Sequence, residues 1–339
     1  MVERVTSLEV AKRAGVSQSA VSRVYTPGAS VSAKTAEKVK TAAAELGYRP
    51  NVLARAMVSG KSRIIGLVVA YLENYFYPEA LEKLSNALQE RGYHVLIFMA
   101  SQTAGNISSV VDEILDYQVD GIVMASVALS SKVGSRCQAA GVPVVLFNRS
   151  QDMDDISSVT SDNFEGGRKV AHLLCDLGHD RIGYIAGWEG ASTQRDREAG
   201  FLAGLSAHNK TLYAREVGDF HADRTKTATL AMFDKPANER PDAVFVANDH
   251  MAFVVMDILR HDLGMRVPED ISVVGYDDVP PAAWRSYDLT TVRQRANLMV
   301  EQTVATILHH IEHPNQMTPK RIQIDSPLII RSSTRQERK

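Results

Sequence analysis

The sequence predicts an α/β fold: an N-terminal three-helix headpiece, then two doubly wound parallel-sheet subdomains around a ligand cleft. Residues 7–46 carry three short helical patterns, and from Arg63 onward apolar strand-like runs alternate with amphipathic helical stretches. Charge is also divided, since residues 1–63 hold 11 Lys and Arg against 4 Asp and Glu, whereas the remainder holds 27 against 36. A basic segment joined to an acidic body suggests a module that binds a polyanion.

The three headpiece helices are bounded by capping residues. Ser7 is expected to cap the first helix and Gly15 to end it, while Ser17 caps the second. The third begins after Ser32 and ends at Gly47. The apolar residues expected to face the headpiece core are Leu8, Val10, Ala11, Ala14, Ala20, Val21, Val24, Val39, Ala42, Ala43 and Leu46.

The remainder of the chain reads as βαβ units. IIGLVVA from residue 64 is a continuous apolar run, as in a strand buried on both faces, and PEALEKLSNALQERG after it is amphipathic. The same alternation recurs too often for one small sheet, so two doubly wound subdomains fit better. Because ligands of such folds bind at the carboxyl ends of the strands, the residues that follow each strand are the candidate ligand contacts.

The first two headpiece helices have the pattern of a helix-turn-helix, whose second helix enters the major groove of DNA. That geometry places Gln18 and Ser19 opposite base edges, where Gln can pair with adenine, and Arg23 one turn further on. Ser17, Ser22, Ser32, Lys34 and Thr35 are expected to bond phosphates. A three-helix module that binds another protein is the alternative.

Other classes of protein lack support in the sequence. The chain has no run of 18 apolar residues and no signal-peptide pattern at residues 1–10, so we expect a cytoplasmic protein. Cys137 and Cys175 have no metal-ligand spacing and are expected to be buried thiols. We expect neither enzymatic activity nor a bound cofactor or metal, and no catalytic residue. GKSR at 60–63 lacks the spaced upstream glycine of a nucleotide-binding P-loop, and the histidines are scattered along the sequence rather than clustered.

Several motifs, in order, resemble the LacI/GalR family of bacterial transcription regulators. They are LEVAKRAGVSQSAVSRV, VSAKTAEKV, AAELGYRPN, LARAM, SGKSRIIGLV, PVVLFNR, SDNFEGGRKVAHLLCDLGHDRIGYI, REAGFLAGL, VFVANDHMA and VPEDISVVGYDD. The resemblance spans nearly the whole chain and implies a periplasmic-binding-protein-like body. It also implies that VSQSAVSRV is the recognition helix, with Gln18, Ser19 and Arg23 at the family's reading positions.

The resemblance extends to the DNA contacts outside the recognition helix. Ser7 and Leu8 join the expected DNA-contacting set. Residues 51–58 match the family's hinge helix, which forms on operator DNA and wedges an apolar side chain into the minor groove. The expected contacts there are Asn51, Ala54, Arg55, Met57 and Val58. Met57 stands where the family usually has leucine, so the wedge is more flexible.

The resemblance also assigns ligand contacts in the cleft. The expected effector-binding residues are Tyr75, Phe76, Ser126, Asn148, Arg149, Trp188, Thr193, Arg197, Phe220, Asn248 and Asp277. Aromatic residues equally fill cores, and Trp188 is placed there only by its order in the sequence. Ala191 removes any second cation at that position, which disfavours a strongly anionic ligand.

These assignments define a domain organisation and a function. We expect a headpiece at 1–49, a hinge at 50–62, and an effector-binding and dimerisation domain at 63–339. Its N-subdomain covers 63–161 and 293–324, and its C-subdomain covers 162–292 and 325–339.

The expected protein is a homodimeric repressor of a near-palindromic operator. It is controlled by a sugar, sugar acid or nucleoside-like effector, and we favour induction, in which the effector weakens DNA binding, over corepression. A solute-binding protein of a transporter is the rival reading, but it predicts a signal peptide and no helix-turn-helix.

Overall fold

The computed structural model describes residues 5–26, 29–49, 61–100, 107–127, 131–151 and 155–335. The chain divides into two compact units, Met1–Ser62 and Arg63–Lys339. All five hinge residues assigned from the sequence, from Asn51 to Val58, lie outside the described residues.

The described residues of the first unit form three helices: α1 (Ser7–Ala14), α2 (Gln18–Val24) and α3 (Ala33–Leu46). Their common core is small and contains Val10, Val21 and Val39 with three alanines. The predicted caps at Ser17 and Ser32 are confirmed, since each side chain accepts a hydrogen bond from a backbone N–H in the first turn of its helix. Gly15 and Gly47 end their helices in the left-handed conformation, also as predicted.

The start of α1 differs from the prediction in two ways. Thr6, not Ser7, is the N-cap, because Thr6 and Glu9 form a reciprocal capping box in which the Thr6 N–H donates to the Glu9 carboxylate at 2.7 Å. Leu8 is 62% exposed rather than part of the core. Val10 and Ala11 are the buried residues of this short helix, and Leu8 lies at the edge of that buried face rather than within it.

Within the described segments of the second unit there are two six-stranded sheets, each with its own helices. One has the strand order β11-β5-β4-β3-β1-β2 and the other β12-β10-β9-β8-β6-β7, and every pairing is parallel except that of β10 with β12. The first sheet consists of β1 (Ile64–Val69), β2 (His94–Met99), β3 (Gly121–Ala125), β4 (Val144–Phe147), β5 (Ser157–Ser161) and β11 (Arg321–Ile324). The second consists of β6 (Ile182–Ala186), β7 (Ala214–Val217), β8 (Ala243–Val246), β9 (Ser272–Asp277), β10 (Thr290–Arg293) and β12 (Leu328–Ile329).

Helices cover these sheets as expected for right-handed crossover connections. Those of the first sheet are α4 (Phe76–Gln89), α5 (Ile107–Asp116), α6 (Ser131–Ala139) and α11 (Ala296–Glu312). Those of the second are α7 (Asn163–Asp176), α8 (Ser192–Ala207), α9 (Ala222–Phe233) and α10 (Asp249–Asp257). We call each sheet with its helices the first and the second subdomain. In the described part of the chain, none of the helices has the length and apolar character needed to span a bilayer.

The chain passes between the subdomains three times. It leaves the first sheet after β5, returns after β10 to form α11 and β11, and leaves again to form β12. Helix α11 packs on β3, β4 and β5 of the first sheet although it follows most of the second. The three crossings bring the carboxyl ends of strands from both sheets to a common cleft.

Helices α7 and α8 approach each other through glycine. A Cβ on Gly200 would lie 1.8 Å from the carbonyl oxygen of Phe164, and one on Gly167 would lie 2.1 Å from that of Arg197. No side chain fits at such distances, so the glycines allow the two backbones to touch. This contact fixes the part of α8 that carries Arg197.

We therefore predict that Gly200→Ala destabilises the protein. The higher helix propensity of alanine adds about 1 kcal/mol of stability, but separating two packed helices costs about 3 kcal/mol, so the net effect is a loss. Urea unfolding followed by circular dichroism measures it. Ser206→Ala, on an exposed position of the same helix, is the control and should change the free energy of unfolding by less than about 0.5 kcal/mol. A Gly200→Ala variant as stable as the control would contradict the close-contact argument.

Candidate functional site

The exposed face of α2 carries the predicted base-reading residues. Gln18, Ser19 and Arg23 are all exposed. The Gln18 Nε2 donates to the Ser7 hydroxyl of α1 at 2.9 Å, which orients the amide, and the Ser17 and Ser19 hydroxyls lie 2.9 Å apart. Ser7 is thus a positioning partner of Gln18. The sequence pattern placed both residues in the DNA-contacting set without indicating their contact.

The remaining predicted headpiece contacts fall at helix starts or on exposed positions. Ser32 caps α3 through the Thr35 N–H at 3.2 Å, and its hydroxyl lies 2.8 Å from that of Thr35. Lys34, Ser22 and Leu8 are exposed. The N-termini of α2 and α3 therefore present hydroxyl groups and unpaired backbone N–H groups, an arrangement suited to phosphate oxygens.

In the second unit, most predicted cleft residues follow the carboxyl ends of strands. Ser126, Asn148, Phe220 and Asp277 have positive φ angles of 62°, 56°, 60° and 125°. Such angles are uncommon for residues other than glycine and concentrate at functional sites, where the surrounding structure maintains them. Asp277 is the last residue of β9, Ser126 and Asn148 directly follow β3 and β4, and Phe220 lies three residues beyond β7, so the backbone turns sharply at or just after the end of each strand.

Arg149 joins the two subdomains. Its guanidinium donates to the Ser126 hydroxyl at 3.3 Å in the first subdomain and to the Thr193 hydroxyl at 2.7 Å in the second. Beside it, the Ser150 N–H donates to the Ser192 hydroxyl at 2.9 Å. Two buried polar atoms in this group lack a hydrogen-bond partner, namely Asn148 Oδ1 and Arg149 Nε.

Arg197 is buried in the second subdomain with all three nitrogens bonded. Nε donates to Asn163 Oδ1 at 2.9 Å and one terminal nitrogen donates to the Ala247 carbonyl at 2.6 Å. The other lies 3.5 Å from Asp277 Oδ1, and the guanidinium carbon stands 3.6 Å above the ring centre of Tyr276. At most two of its five N–H groups remain for a ligand, so much of its role is structural.

The predicted aromatic residues divide between core and cleft. Phe76 is buried and stacks on Phe147 with 6.1 Å between ring centres, whereas its neighbour Tyr75 is half exposed. Phe220 packs on Gly187 and Trp188 on Gly190, where added Cβ atoms would lie 2.1 and 2.4 Å from the respective rings. Phe220 and Trp188 thus lie at the ends of β7 and β6.

Asn248 has a structural role that the sequence did not assign. It is the N-cap of α10, and its side-chain oxygen accepts from the Met251 N–H at 3.0 Å. Only its amide NH₂ is left to reach a ligand.

Sequence reasoning missed several cleft residues. Asn74 Nδ2 donates to Asp277 Oδ2 at 2.9 Å, and Gln294 Nε2 donates to Asp277 Oδ1 at 2.7 Å. The Tyr77 hydroxyl accepts from Asn148 Nδ2 at 3.3 Å, and Tyr71 lies beside Tyr77. Asn74 lies in the segment between β1 and α4, so its position after a strand was a usable signal, whereas Tyr77 is the second residue of α4. Gln294 directly follows β10, but the sequence TTVR of this short strand lacks the apolar run that marks strands such as β1 and β4.

A cavity of about 560 Å³ adjoins Asp277. Of the predicted effector contacts, only Phe76 and Asp277 line it, and its other walls come from the first turns of α4 and α11 and the loop after β9. Arg149 instead donates directly to Thr193 across the cleft, beside the Ser150–Ser192 bond, and Arg197 is bonded to Asp277 within the second subdomain. The first two of these bonds cross between the subdomains and hold the cleft closed.

Two neighbouring carboxyl groups near the cleft are fully buried. Burial raises the pKa of Asp277, although Arg197 opposes the shift. Burial and the charge of Asp277 likewise raise the pKa of Asp249. Asp249 accepts from the Thr291 hydroxyl at 2.6 Å and from the Val279 N–H at 3.0 Å, so it ties α10 to the loop that follows Asp277.

The raised pKa of Asp249 predicts a pH dependence of stability. Above about pH 4 the Asp249 carboxyl has lost its proton in the unfolded chain but keeps it in the folded chain. The contribution of Asp249 to the free energy of unfolding therefore falls as the pH rises toward the pKa of the folded state. Asp249→Asn should remove the effect, and its stability relative to the natural protein should increase from about pH 5 to about pH 9. Urea unfolding at several pH values measures this, with exposed Asp176→Asn as control. Parallel pH profiles for Asp249→Asn and the natural protein would rule out a proton on Asp249.

Comparison with known proteins agrees with this architecture. Residues 7–51 match the family model "Bacterial regulatory proteins, lacI family", and residues 170–334 match "Periplasmic binding protein-like domain". The HTH-type transcriptional repressor PurR of Yersinia enterocolitica is 31% identical, over 97% of this chain and 96% of that protein.

Solved structures extend the similarity to the fold of the whole chain. The lac repressor dimer bound to operator and the anti-inducer ONPF superposes with a TM-score of 0.88 at 30% identity, covering 98% of this chain and 99% of that one. The complex of the transcriptional regulator CelR with cellobiose gives 0.73 at 30% identity, covering 97% of this chain and all of that one. The chain thus belongs to the lacI family of bacterial regulatory proteins and is a DNA-binding transcription regulator.

Proposed function

We propose that the chain is a homodimeric repressor whose affinity for a near-palindromic operator is controlled by a neutral, hydroxyl-rich small molecule in the cleft. A regulator of chromosomal genes acts in the cytoplasm. The observation that carries the effector class is the pair of buried atoms without partners, Asn148 Oδ1 and Arg149 Nε. A buried polar atom without a partner costs about 1–3 kcal/mol, and ligand hydroxyl groups can satisfy the two atoms, since a hydroxyl donates to Oδ1 and accepts from Nε.

The engagement of the cleft cations supports a neutral ligand. Arg197 is already bonded to Asp277, and Arg149 to two hydroxyl groups and a carbonyl. A carboxylate or phosphate at Arg197 would compete with Asp277 for that cation. The CelR structure contains cellobiose, a neutral sugar, which supports the same class by analogy.

The cleft also supports binding rather than catalysis. The hydroxyl groups of Ser126 and Thr193 both accept hydrogen bonds from Arg149. A guanidinium stays protonated and cannot remove a proton, so it activates neither hydroxyl as a nucleophile.

Exposed apolar side chains support the homodimer. Ile97 and Met99 are more than half exposed on the edge strand β2, and Tyr117 follows α5 nearby. Trp284, after β9, is also more than half exposed. An exposed apolar edge strand invites pairing, and a second copy covers it in a two-fold arrangement. We also assign the faces at 78–91 and 107–117 and α10 to this interface.

Gln18→Ala should relax base preference at one position in each operator half-site at a cost of about 1–3 kcal/mol, because the amide that reads the base is lost. The measurement is a base-by-base binding profile at fixed salt. Lys34→Ala is the matched control: loss of a phosphate contact should weaken binding to all sequences alike and lower the salt slope by about one. An unchanged profile for Gln18→Ala would remove it from the base-reading set.

A thermal-shift screen tests the effector class. The panel contains neutral sugars, polyols, sugar acids, sugar phosphates, nucleosides and purines. A ligand at 100 times its Kd adds about 2.7 kcal/mol, which raises the melting temperature by several degrees at about 2–4 °C per kcal/mol. We expect hits among neutral sugars or polyols, and Arg149→Lys should lose them while exposed Arg224→Lys retains them. Hits confined to anionic compounds would contradict the proposed class.

A further inference from the structure

The Asp277 carboxylate receives hydrogen bonds from three separate parts of the chain. Gln294 Nε2 donates to Oδ1 at 2.7 Å, Asn74 Nδ2 donates to Oδ2 at 2.9 Å, and Arg197 lies 3.5 Å from Oδ1. Arg197 belongs to the second subdomain, Gln294 to a crossing segment, and Asn74 to the first subdomain. Asp277 is therefore bonded across the cleft as well as within its own subdomain.

Both ends of the Asn74 amide are used, and they link two structures. While Nδ2 donates to Asp277, Oδ1 accepts from the Phe76 N–H at 3.0 Å, at the first residue of α4. The side chain is 4% exposed, so water competes little for either bond. Any movement of the Asp277 carboxylate relative to the first subdomain must break the Nδ2 bond or pull on the start of α4.

Gln294 makes a similar bridge at the crossings. Its Oε1 accepts from the Ser161 hydroxyl at 2.9 Å, at the end of β5 where the chain first leaves the first sheet. The backbone N–H of Gln294 donates to the backbone carbonyl of Asp277 at 3.1 Å. This second bridge lies where the chain crosses between the subdomains, whereas the Asn74 bond joins the segment after β1 of the first subdomain directly to the end of β9 in the second.

We propose that Asn74 is a latch residue that holds the cleft closed through Asp277 and transmits the state of that carboxylate to helix α4. The inference rests on the proposed function, because Asp277 is also an assigned effector contact. An effector hydroxyl that binds at Asp277 meets a carboxylate that is already held in place. Asn74 sets the fraction of molecules whose cleft is closed before the effector binds. It is a positioning residue that acts through Asp277 on the subdomain joined to the headpiece.

The test measures operator affinity without any ligand, at fixed salt, so it does not depend on identifying the effector. Asn74→Asp places a second carboxylate against Asp277, and we expect the operator Kd to shift about tenfold, within the usual range of coupling between sites. Asn74→Ala, which removes the bond without repulsion, should shift it in the same direction by less. Adding Asp277→Asn to Asn74→Asp reverses the polarity of the bond and should return the Kd to within about threefold of the natural value.

Asn238→Asp is the matched control, since it makes the same change at an exposed position of the second subdomain and should leave the Kd unaltered. Equal operator affinity for Asn74→Asp, Asn74→Ala and the natural protein overturns the latch. The latch is also overturned if the Kd of the double variant Asn74→Asp with Asp277→Asn does not return toward the natural value while its melting curve shows a folded protein. If the double variant is unfolded, the single variants Asn74→Ala and Asp277→Asn are compared instead. Shifts of the Kd in the same direction support the latch, and shifts in opposite directions overturn it. Absence of operator binding by the natural protein would instead contradict the proposed function.

Discussion

One buried carboxylate organises the cleft. Asp277 ends β9 in a backbone conformation that few residues other than glycine adopt, and its charge lies away from water. A buried charge is tolerated only when hydrogen bonds and opposite charge compensate for lost hydration. Here the compensation comes from Arg197, Gln294 and Asn74. Both subdomains must therefore be placed so that these three side chains reach the Asp277 carboxylate.

The requirement extends outward from Asp277. Arg197 can reach it only because glycines let α7 and α8 touch, and because the Tyr276 ring supports the guanidinium from below. Asp249 secures the following loop by bonding to the Val279 N–H. The packing of α7 against α8 and the placement of the ligand-binding groups are therefore parts of one arrangement.

Much of this could be predicted from the sequence, for identifiable reasons. Helix caps such as Ser17 and Ser32, and the strands buried on both faces, are local patterns that neighbouring residues determine. Residues that follow strands, such as Asn148 and Asp277, could be assigned to the cleft because topology brings strand ends together. The partners of these residues could not be predicted, since the Asn74–Asp277 bond joins positions 203 residues apart. Leu8 shows the opposite limit, because an apolar residue on a helix of only about two turns need not face a small core.

The order of the chain in the first subdomain has a consequence for synthesis on the ribosome. Helix α11 covers β3, β4 and β5, and β11 completes the edge beside β5, yet both are made after nearly all of the second subdomain. Until residue 312 has left the exit tunnel, the face of the first sheet that α4 and α11 share is only partly covered. The headpiece has a small core of its own and can fold early, whereas the first subdomain stays incomplete until α11 and β11 have been made. Newly made chains therefore expose part of this apolar face while the second subdomain is being synthesised.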